Sequence, residues 1–163
     1  MDQDANTTPF PETIRPASLN EAGEVARLHR YVVQTCLPYL PDLHTPEEDL
    51  WYFTNLLFPD HQVWVYVEGS IKGYCGFRKG WVSHLYISPE VHGKGVGSLL
   101  LRKATEAYSP LRLWVFQRNT RAIRFYERHG FRLIKTSDGA RNEEKEPDAL
   151  YGWGLWPSDL YPR

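Results

Sequence analysis

A glycine-rich turn at residues 92–97 is the segment of this sequence most suited to binding a ligand. Its residues, His-Gly-Lys-Gly-Val-Gly, follow a segment typical of a strand and precede one typical of a helix. Glycines let the backbone turn tightly, and the free N–H groups at the start of a helix then point to one place. Such amides bind phosphate, aided by the helix dipole. The turn predicts a site for an anion such as pyrophosphate, although the same glycines also suit a plain strand-to-helix turn.

The glycine spacing excludes two common nucleotide-binding loops. A Walker A loop requires Gly, four residues and then Gly-Lys-Ser/Thr, whereas here Gly93-Lys94 is followed by Gly95, and Ser88 stands where the first glycine is needed. A dinucleotide fingerprint requires G-x-G-x-x-G, and the spacing here is G-x-G-x-G. A nucleotide site built on either motif is therefore not expected.

The composition is that of one globular domain. With 163 residues, 42% of them hydrophobic and 24% charged, the chain can bury a core without disulfide or metal staples. A formal net charge of −1 gives no electrostatic case for nucleic acid as a partner. Cys36 and Cys75 form no disulfide framework, and there is neither a signal-like start nor a run of 18 apolar residues. These features predict a cytoplasmic protein that does not bind membranes.

Hydrophobic periodicity predicts a flexible N-terminal arm at residues 1–12 and one domain at residues 13–163. Capping boxes at residues 18–21 and 45–48 predict the starts of two helices. Alternating β-branched and aromatic runs, separated by turn residues, predict antiparallel hairpins in the middle of the chain. The predicted strands lie at 14–17, 62–67, 72–78, 81–87, 112–116, 131–136 and 149–153, with further helices after residue 97 and at 120–129. The predicted fold class is α/β, a mixed sheet covered by helices.

Two segments resemble the motifs of the GNAT superfamily of N-acetyltransferases. Residues 85–101 are similar to motif A, in which a strand runs into Q/R-x-x-G-x-G/A and the helix binds the pyrophosphate of coenzyme A; His92 occupies the Gln/Arg position. Residues 115–131 are similar to motif B, which pairs Asn119 with Ala122 and Tyr126 and ends in Gly-Phe. The two motifs stand in the right order, and the resemblance covers about residues 13–155.

The resemblance implies a single GNAT-like domain with a mostly antiparallel sheet of about seven strands. The sheet would be splayed between strands four and five and flanked by about four helices. Acetyl-CoA would be the co-substrate and a small-molecule amine or a peptide the acceptor; relatives of this family also suggest a homodimer. No metal is expected, because no H-E-x-x-H or closely spaced His/Cys set occurs. The implied cofactor-binding residues are Leu85, Tyr86, Ile87, His92, Gly93, Lys94, Gly95, Val96, Gly97, Ser98, Asn119, Ala122, Phe125, Tyr126 and Arg128.

Three steps of the implied reaction need a chemical group. Tyr126 matches the family's general acid, which would protonate the departing thiolate, although a tyrosine at this helical spacing also suits a core. A backbone N–H on the strand at residues 85–87 would stabilise the oxyanion. Many relatives use a Glu as base near the start of the fourth strand, where this chain has Trp81. His84 is the nearest titratable group there; it would serve as the base or lie in the sheet without a catalytic role.

The acceptor side is the part of the fold that the sequence defines least. In the family it is bordered by the first two helices and by the loop between the last two strands. Tyr31, Trp51 and Glu144 are the candidate acceptor-binding residues, with a small cationic amine favoured because these segments carry rings and acids. Glu143 and Asp148 are further acids of that loop. The alternative function is a CoA-binding sensor or structural module without turnover, suggested by His92 and by Trp81 in the place of the Glu.

Overall fold

The computed structural model describes residues 13–155. The predicted arm at residues 1–12 and the last residues of the predicted domain lie outside this range. The strands are β1 Thr13–Pro16, β2 Gln62–Glu68, β3 Ser70–Arg78, β4 Trp81–Ile87, β5 Leu111–Phe116, β6 Arg132–Ser137 and β7 Asp148–Trp153. The helices are α1 Ala22–Cys36, α2 Pro46–Tyr52, α3 Phe58–Asp60, α4 Val96–Ala107 and α5 Thr120–Arg128. A π-helical turn, Phe53–Leu57, joins α2 to α3, so the helices form four continuous segments.

The strands form one seven-stranded sheet in the order β1-β2-β3-β4-β5-β7-β6. Every neighbouring pair is antiparallel except β4 and β5, which are parallel. Trp81 and Arg112 are the only paired residues between those two strands, so β4 and β5 diverge toward their carboxyl ends. The predicted α/β class, the strand count and the splay between strands four and five are confirmed.

Hydrophobic side chains pack on both faces of the sheet because neighbouring residues of a strand point to opposite sides. Tyr74 packs with α1 and the π-helical turn, whereas the next residue, Cys75, packs with α4 and α5. Val65 and Tyr66 divide between the two faces in the same way. The sheet therefore has α1 and α2 on one side and α4 and α5 on the other.

The predicted capping boxes are present at the starts of the first two helical segments. The Ser18 N–H donates to Glu21 Oε1 at 2.9 Å, and the Glu48 N–H donates to Thr45 Oγ1 at 3.2 Å. The sequence did not predict the π-helical turn. Phe53 and Leu57 within it are buried, whereas Leu50 before it is 48% exposed. The π-helical turn changes the angle between successive side chains, so that Phe53 and Leu57 face the core. A prediction that assumes a constant helical period misses this change.

Candidate active site

The glycine turn forms an open cradle of backbone amides at the wide end of the splay. Gly93 and Gly95 both have φ near +80°, and a Cβ built on either would meet no atom within 4 Å. Gly95 is the N-cap of α4. Within residues 13–155, no N–H group from Gly93 to Ser98 donates a hydrogen bond. Unsatisfied donors aligned at a helix start suit an anion, which is the ligand that the sequence predicts for this turn.

Gly97 is needed for a different reason, which is the packing of α4 on α5. A Cβ at Gly97 would lie 3.2 Å from the ring of Phe125. One helical turn further along α5, the His129 Nδ1–H donates to the Phe125 carbonyl at 2.7 Å, and Ser98 Oγ lies 2.8 Å from His129 Nε2. The two contacts connect α5 to the start of α4. The predicted residues Phe125 and Ser98 thus lie together, held by His129, which sequence reasoning did not select.

His92 turns its ring back toward β4. Its Nε2–H donates to the Ile87 carbonyl at 2.8 Å, which ties the glycine turn to the end of the strand. Lys94 of the same turn forms an ion pair with Glu68 at 3.4 Å. Both predicted side chains are therefore engaged within the protein, and the amides are the groups left for a ligand.

The backbone of β4 also faces the splay. The Ser88 N–H donates to the Lys72 carbonyl at 2.7 Å, and in an antiparallel pair such bonding alternates along the strand. Leu85 and Ile87 therefore direct their N–H and C=O groups away from β3 and toward β5, which has diverged at this level. An extended ligand could pair with β4 as an additional strand would.

Tyr126 lies in the core that borders this cleft. Its side chain packs with Cys75, Phe131 and other residues of the core on the α4 and α5 side, and Leu85 and Ile87 pack against the same core. Burial, with smaller contributions from Cys75 and Tyr86, raises the pKa of Tyr126 well above 10. The hydroxyl has no hydrogen-bond partner among the described residues. It stays protonated and is free to donate.

The motif B residues lie along α5. Asn119 is the N-cap of this helix, with its Oδ1 accepting from the Ala122 N–H at 3.3 Å. The cap uses only the oxygen, and the amide nitrogen of Asn119 has no partner in the described part of the chain. Arg128 is exposed at the end of α5 and forms no ion pair with residues 13–155.

A cluster of rings surrounds His84 on the α1 side of the sheet, and we call it the ring cluster. Five rings contact the His84 imidazole, namely those of His29, Tyr52, Phe53, Tyr74 and Tyr86, and these six residues make up the cluster. Burial, followed by the neighbouring His29 and His61, lowers the pKa of His84 well below 6.5. Burial likewise lowers the pKa of His29 to about 4. Both imidazoles are therefore neutral near pH 7.

Glu144 lines an open cavity of about 770 Å³ beside the carboxyl ends of β5 and β6. Trp114, Phe116 and Asp148 line the same cavity. Burial raises the pKa of Tyr86 to about 12, and the negative charge of Glu144 is the next cause. The charge of the Glu144 carboxylate therefore acts on Tyr86, a member of the ring cluster.

The other two candidate acceptor residues lie elsewhere. The Tyr31 hydroxyl donates to Glu90 Oε1 at 2.9 Å, which places it beside the short helical turn before the glycine turn. Trp51 is 58% exposed, and its ring contacts no other ring within residues 13–155. No hydrogen bond, ion pair or ring contact joins either residue to Glu144 within residues 13–155.

Two loops meet over the cluster and the cavity. His44, in the loop between α1 and α2, lies 2.7 Å from Glu143 in the loop between β6 and β7. Tyr39 of the first loop packs under Arg118, 4.2 Å from the ring centroid, and Arg118 pairs with Glu146 of the second loop at 2.6 Å. Asp148 accepts from Asn142 and Ser137 and so fixes the base of the second loop. These contacts narrow the entrance on the acceptor side.

Comparison with known proteins is consistent with this architecture. A family model described as an acetyltransferase (GNAT) domain matches residues 59–133. Peptidyl-lysine N-acetyltransferase YiaC of Escherichia coli is 27% identical over 94 residues, covering 56% of this chain and 63% of the relative. Spermine/spermidine N(1)-acetyltransferase of Bacillus subtilis is 27% identical over 119 residues, covering 56% of this chain and 78% of the relative.

Among solved structures, the PaiA N-acetyltransferase of Thermoplasma acidophilum in complex with coenzyme A superposes with a TM-score of 0.72. It is 17% identical and the match covers 90% of this chain and 100% of that one, so this likeness shows the fold. Over residues 59–133, the chain is therefore similar to the acetyltransferase (GNAT) domain family.

Two features are absent from residues 13–155. No helix in this range is long and apolar enough to cross a membrane. No group of three or more His, Cys, Asp or Glu side chains in the same range is placed to hold a metal ion.

Proposed function

We propose that the protein is an acetyl-CoA-dependent N-acetyltransferase that acetylates a primary amine by direct attack. The observation that carries this proposal is the row of unsatisfied N–H groups from Gly93 to Ser98 beside the splayed strands. Pyrophosphate oxygens would accept from these amides, and the open space at Gly93 and Gly95 leaves room for them. The pantetheine arm would pair with the edge of β4 that faces the splay, at the Leu85 N–H and C=O and at the Ile87 N–H, because His92 already donates to the Ile87 carbonyl.

The residues of the cleft suit the three chemical tasks. Acetyl-CoA supplies an activated thioester. An N–H group of β4 facing the splay would donate to the developing oxyanion. Tyr126, kept protonated by burial, would give its proton to the departing sulfur. His84, kept neutral by burial, would take a proton from the acceptor ammonium before attack.

A small amine with a second positive charge, such as a polyamine, is the proposed acceptor. Glu144 supplies a negative charge close to the ring cluster, and the rings of Tyr52 and Tyr86 suit an alkylammonium chain. The contacts between His44 and Glu143 and between Tyr39 and Arg118 narrow the entrance, which favours a slender substrate over a folded protein surface. The names of the two relatives, a peptidyl-lysine and a spermine/spermidine acetyltransferase, both denote amines on flexible alkyl chains.

Thiol release from acetyl-CoA tests the proposed activity directly. The purified protein would be assayed with spermidine, an amino sugar, a lysine-containing peptide and a peptide with a free N-terminus. We expect saturable release that depends on the amine, with the highest kcat/KM for spermidine. Thiol release with a peptide alone would show that the acceptor is a peptide and not a polyamine. Binding of CoA without thiol release for any amine would favour the sensor alternative.

Glu144→Gln is expected to raise the KM for spermidine about 5-fold, because a partly exposed charge pair contributes up to about 1 kcal/mol. The kcat value should change little, since the carboxylate would attract the distal cation without touching the reacting nitrogen. Glu106→Gln removes the same charge from an exposed position on α4 and serves as the matched control. An equal KM effect in both variants would show that only overall charge matters.

A further inference from the structure

A chain of hydrogen bonds runs inward from the surface through the ring cluster. Tyr52, which is 38% exposed, has its hydroxyl 3.4 Å from His84 Nε2. On the other side of that imidazole, His84 Nδ1 lies 2.9 Å from the hydroxyl of the fully buried Tyr74. The same hydroxyl lies 2.7 Å from Nδ1 of His29. The chain thus links β4 to α1 through a single phenol.

The tyrosine between the two imidazoles restricts where their protons lie. A phenol has one proton, so Tyr74 donates to one Nδ1 and accepts from the other. When Tyr74 donates to His29, His84 must carry its proton on Nδ1, which leaves the His84 Nε2 lone pair facing Tyr52. The opposite polarity would put the His84 proton on Nε2 and remove its capacity to accept. The two neutral arrangements are therefore complementary, and only the first makes His84 a base.

We infer that Tyr74 and His29 hold His84 in the Nδ1–H form and receive the proton that His84 takes from the acceptor ammonium. This inference rests on the proposed function. An N–H bond of the ammonium breaks and a bond to His84 Nε2 forms; the His84 Nδ1 proton passes to the Tyr74 oxygen as the Tyr74 proton passes to His29 Nδ1. The amine becomes neutral, His84 and Tyr74 end neutral, and His29 ends as an imidazolium. Tyr52 yields its place at Nε2 to the amine, because its 3.4 Å hydrogen bond is weak.

Charged and titratable groups on four elements face this path. His84 is met by Tyr52 from α2, by Tyr74 from β3, by His29 from α1 and by Tyr86 of its own strand, and His61 lies near enough to influence its charge. His29 is influenced by Asp49, which favours the imidazolium, and by Arg30, which opposes it. Asp49 and Arg30 form an ion pair at 2.8 Å. The carboxylate thus lies on the side of the path where the positive charge ends.

Steady-state kinetics with spermidine test the two positioning residues. We expect Tyr74→Phe and His29→Gln each to lower kcat at least about 10-fold, less than the roughly 100-fold or more that a general base itself contributes, with KM little changed. The double variant should be no slower than the slower single variant, because the two substitutions interrupt the same proton path. Tyr151→Phe removes a buried hydroxyl that donates to Glu127 on the far side of the sheet and is the matched control.

The pH profile separates a relay from a packing role. Activity requires neutral His84, and burial lowers the His84 pKa well below 6.5, so protonation of this group should reduce kcat/KM only at a pH well below 6.5. Tyr74→Phe removes the acceptor of the Nδ1 proton and destabilises the cation, so this fall should move to lower pH. A reduced rate with an unmoved profile in both variants, or additive losses in the double variant, would overturn the inference.

Nitrogen-15 NMR of the unmutated protein provides a test that does not depend on the variants folding. The imidazole shifts should show His84 protonated on Nδ1 and His29 on Nε2 at pH 7. His84 protonated on Nε2 would contradict the relay even if the enzyme turned over normally. Absence of thiol release with every amine, despite the expected tautomers, would instead count against the proposed function.

Discussion

Gly95→Ala is expected to weaken CoA binding about 30-fold, which corresponds to about 2 kcal/mol. Gly95 has a φ of +78°, where an alanine is strained, and relief of that strain rotates the peptide planes that direct the neighbouring N–H groups. The added methyl group also enters the open space beside the amides. Because those amides would be the main ligands of the CoA phosphates, their displacement should raise the dissociation constant of CoA, which calorimetry measures.

Gly80→Ala is the matched control for that substitution. Gly80 lies in the hairpin between β3 and β4, has a φ of +84° and likewise has nothing within 4 Å of an added Cβ. Both variants should lose a similar amount of unfolding free energy, about 1 kcal/mol, in urea titrations. Only Gly95→Ala should lose CoA affinity. Equal binding by the two variants would show that the turn is no more than a connection between a strand and a helix.

Tyr126→Phe is expected to lower kcat about 100-fold, at the lower end of general acid effects, while leaving the dissociation constant of CoA nearly unchanged. The phenol would act on sulfur only as the thioester breaks, so its loss affects the transition state and not binding. Because burial keeps the pKa of Tyr126 well above 10, this group should add no loss of activity between pH 7 and pH 9. Stopped-flow or steady-state assays of thiol release measure both the kcat of the variant and the activity between pH 7 and pH 9.

The buried Tyr151→Phe again provides the control, since it deletes a hydroxyl that donates to Glu127 and not one in the cleft. Its kcat should match that of the unmutated protein. If Tyr126→Phe retained full kcat, Tyr126 would be a core residue that happens to stand in the motif. Departure of the thiolate would then need another proton donor.

The sequence predicted those parts of the protein that local patterns specify. The capping boxes at Ser18 and Thr45, the alternation within the strands and the glycine turn each depend on residues a few positions apart. The splay between β4 and β5 followed from the resemblance of the two motifs. Ser98 and Phe125 were also placed by that resemblance, and the structure brings them to the same end of α4 and α5.

The ring cluster could not be predicted in the same way. His29 and Tyr74 stand 45 residues apart, and nothing in either segment indicates that one helix and one strand bring them to a shared hydrogen bond. His84 was selected only as a titratable group on β4. Tyr31 was selected for the acceptor side, yet its hydroxyl bonds to Glu90 because α1 extends toward the end of β4. Such contacts depend on how helices cross the sheet, which patterns within a single segment do not specify.

A thermal-melt titration with CoA and acetyl-CoA, with ATP and NAD as controls, tests the central claim most directly. A ligand that binds only the folded state raises the melting temperature, by roughly 5–10 °C for a domain of this size at about 100 times the dissociation constant. We expect such a rise for the two CoA compounds and little or none for ATP and NAD. No rise with either CoA compound, or an equal rise with ATP, would contradict the assignment of the amide cradle and the splayed strands to acetyl-CoA.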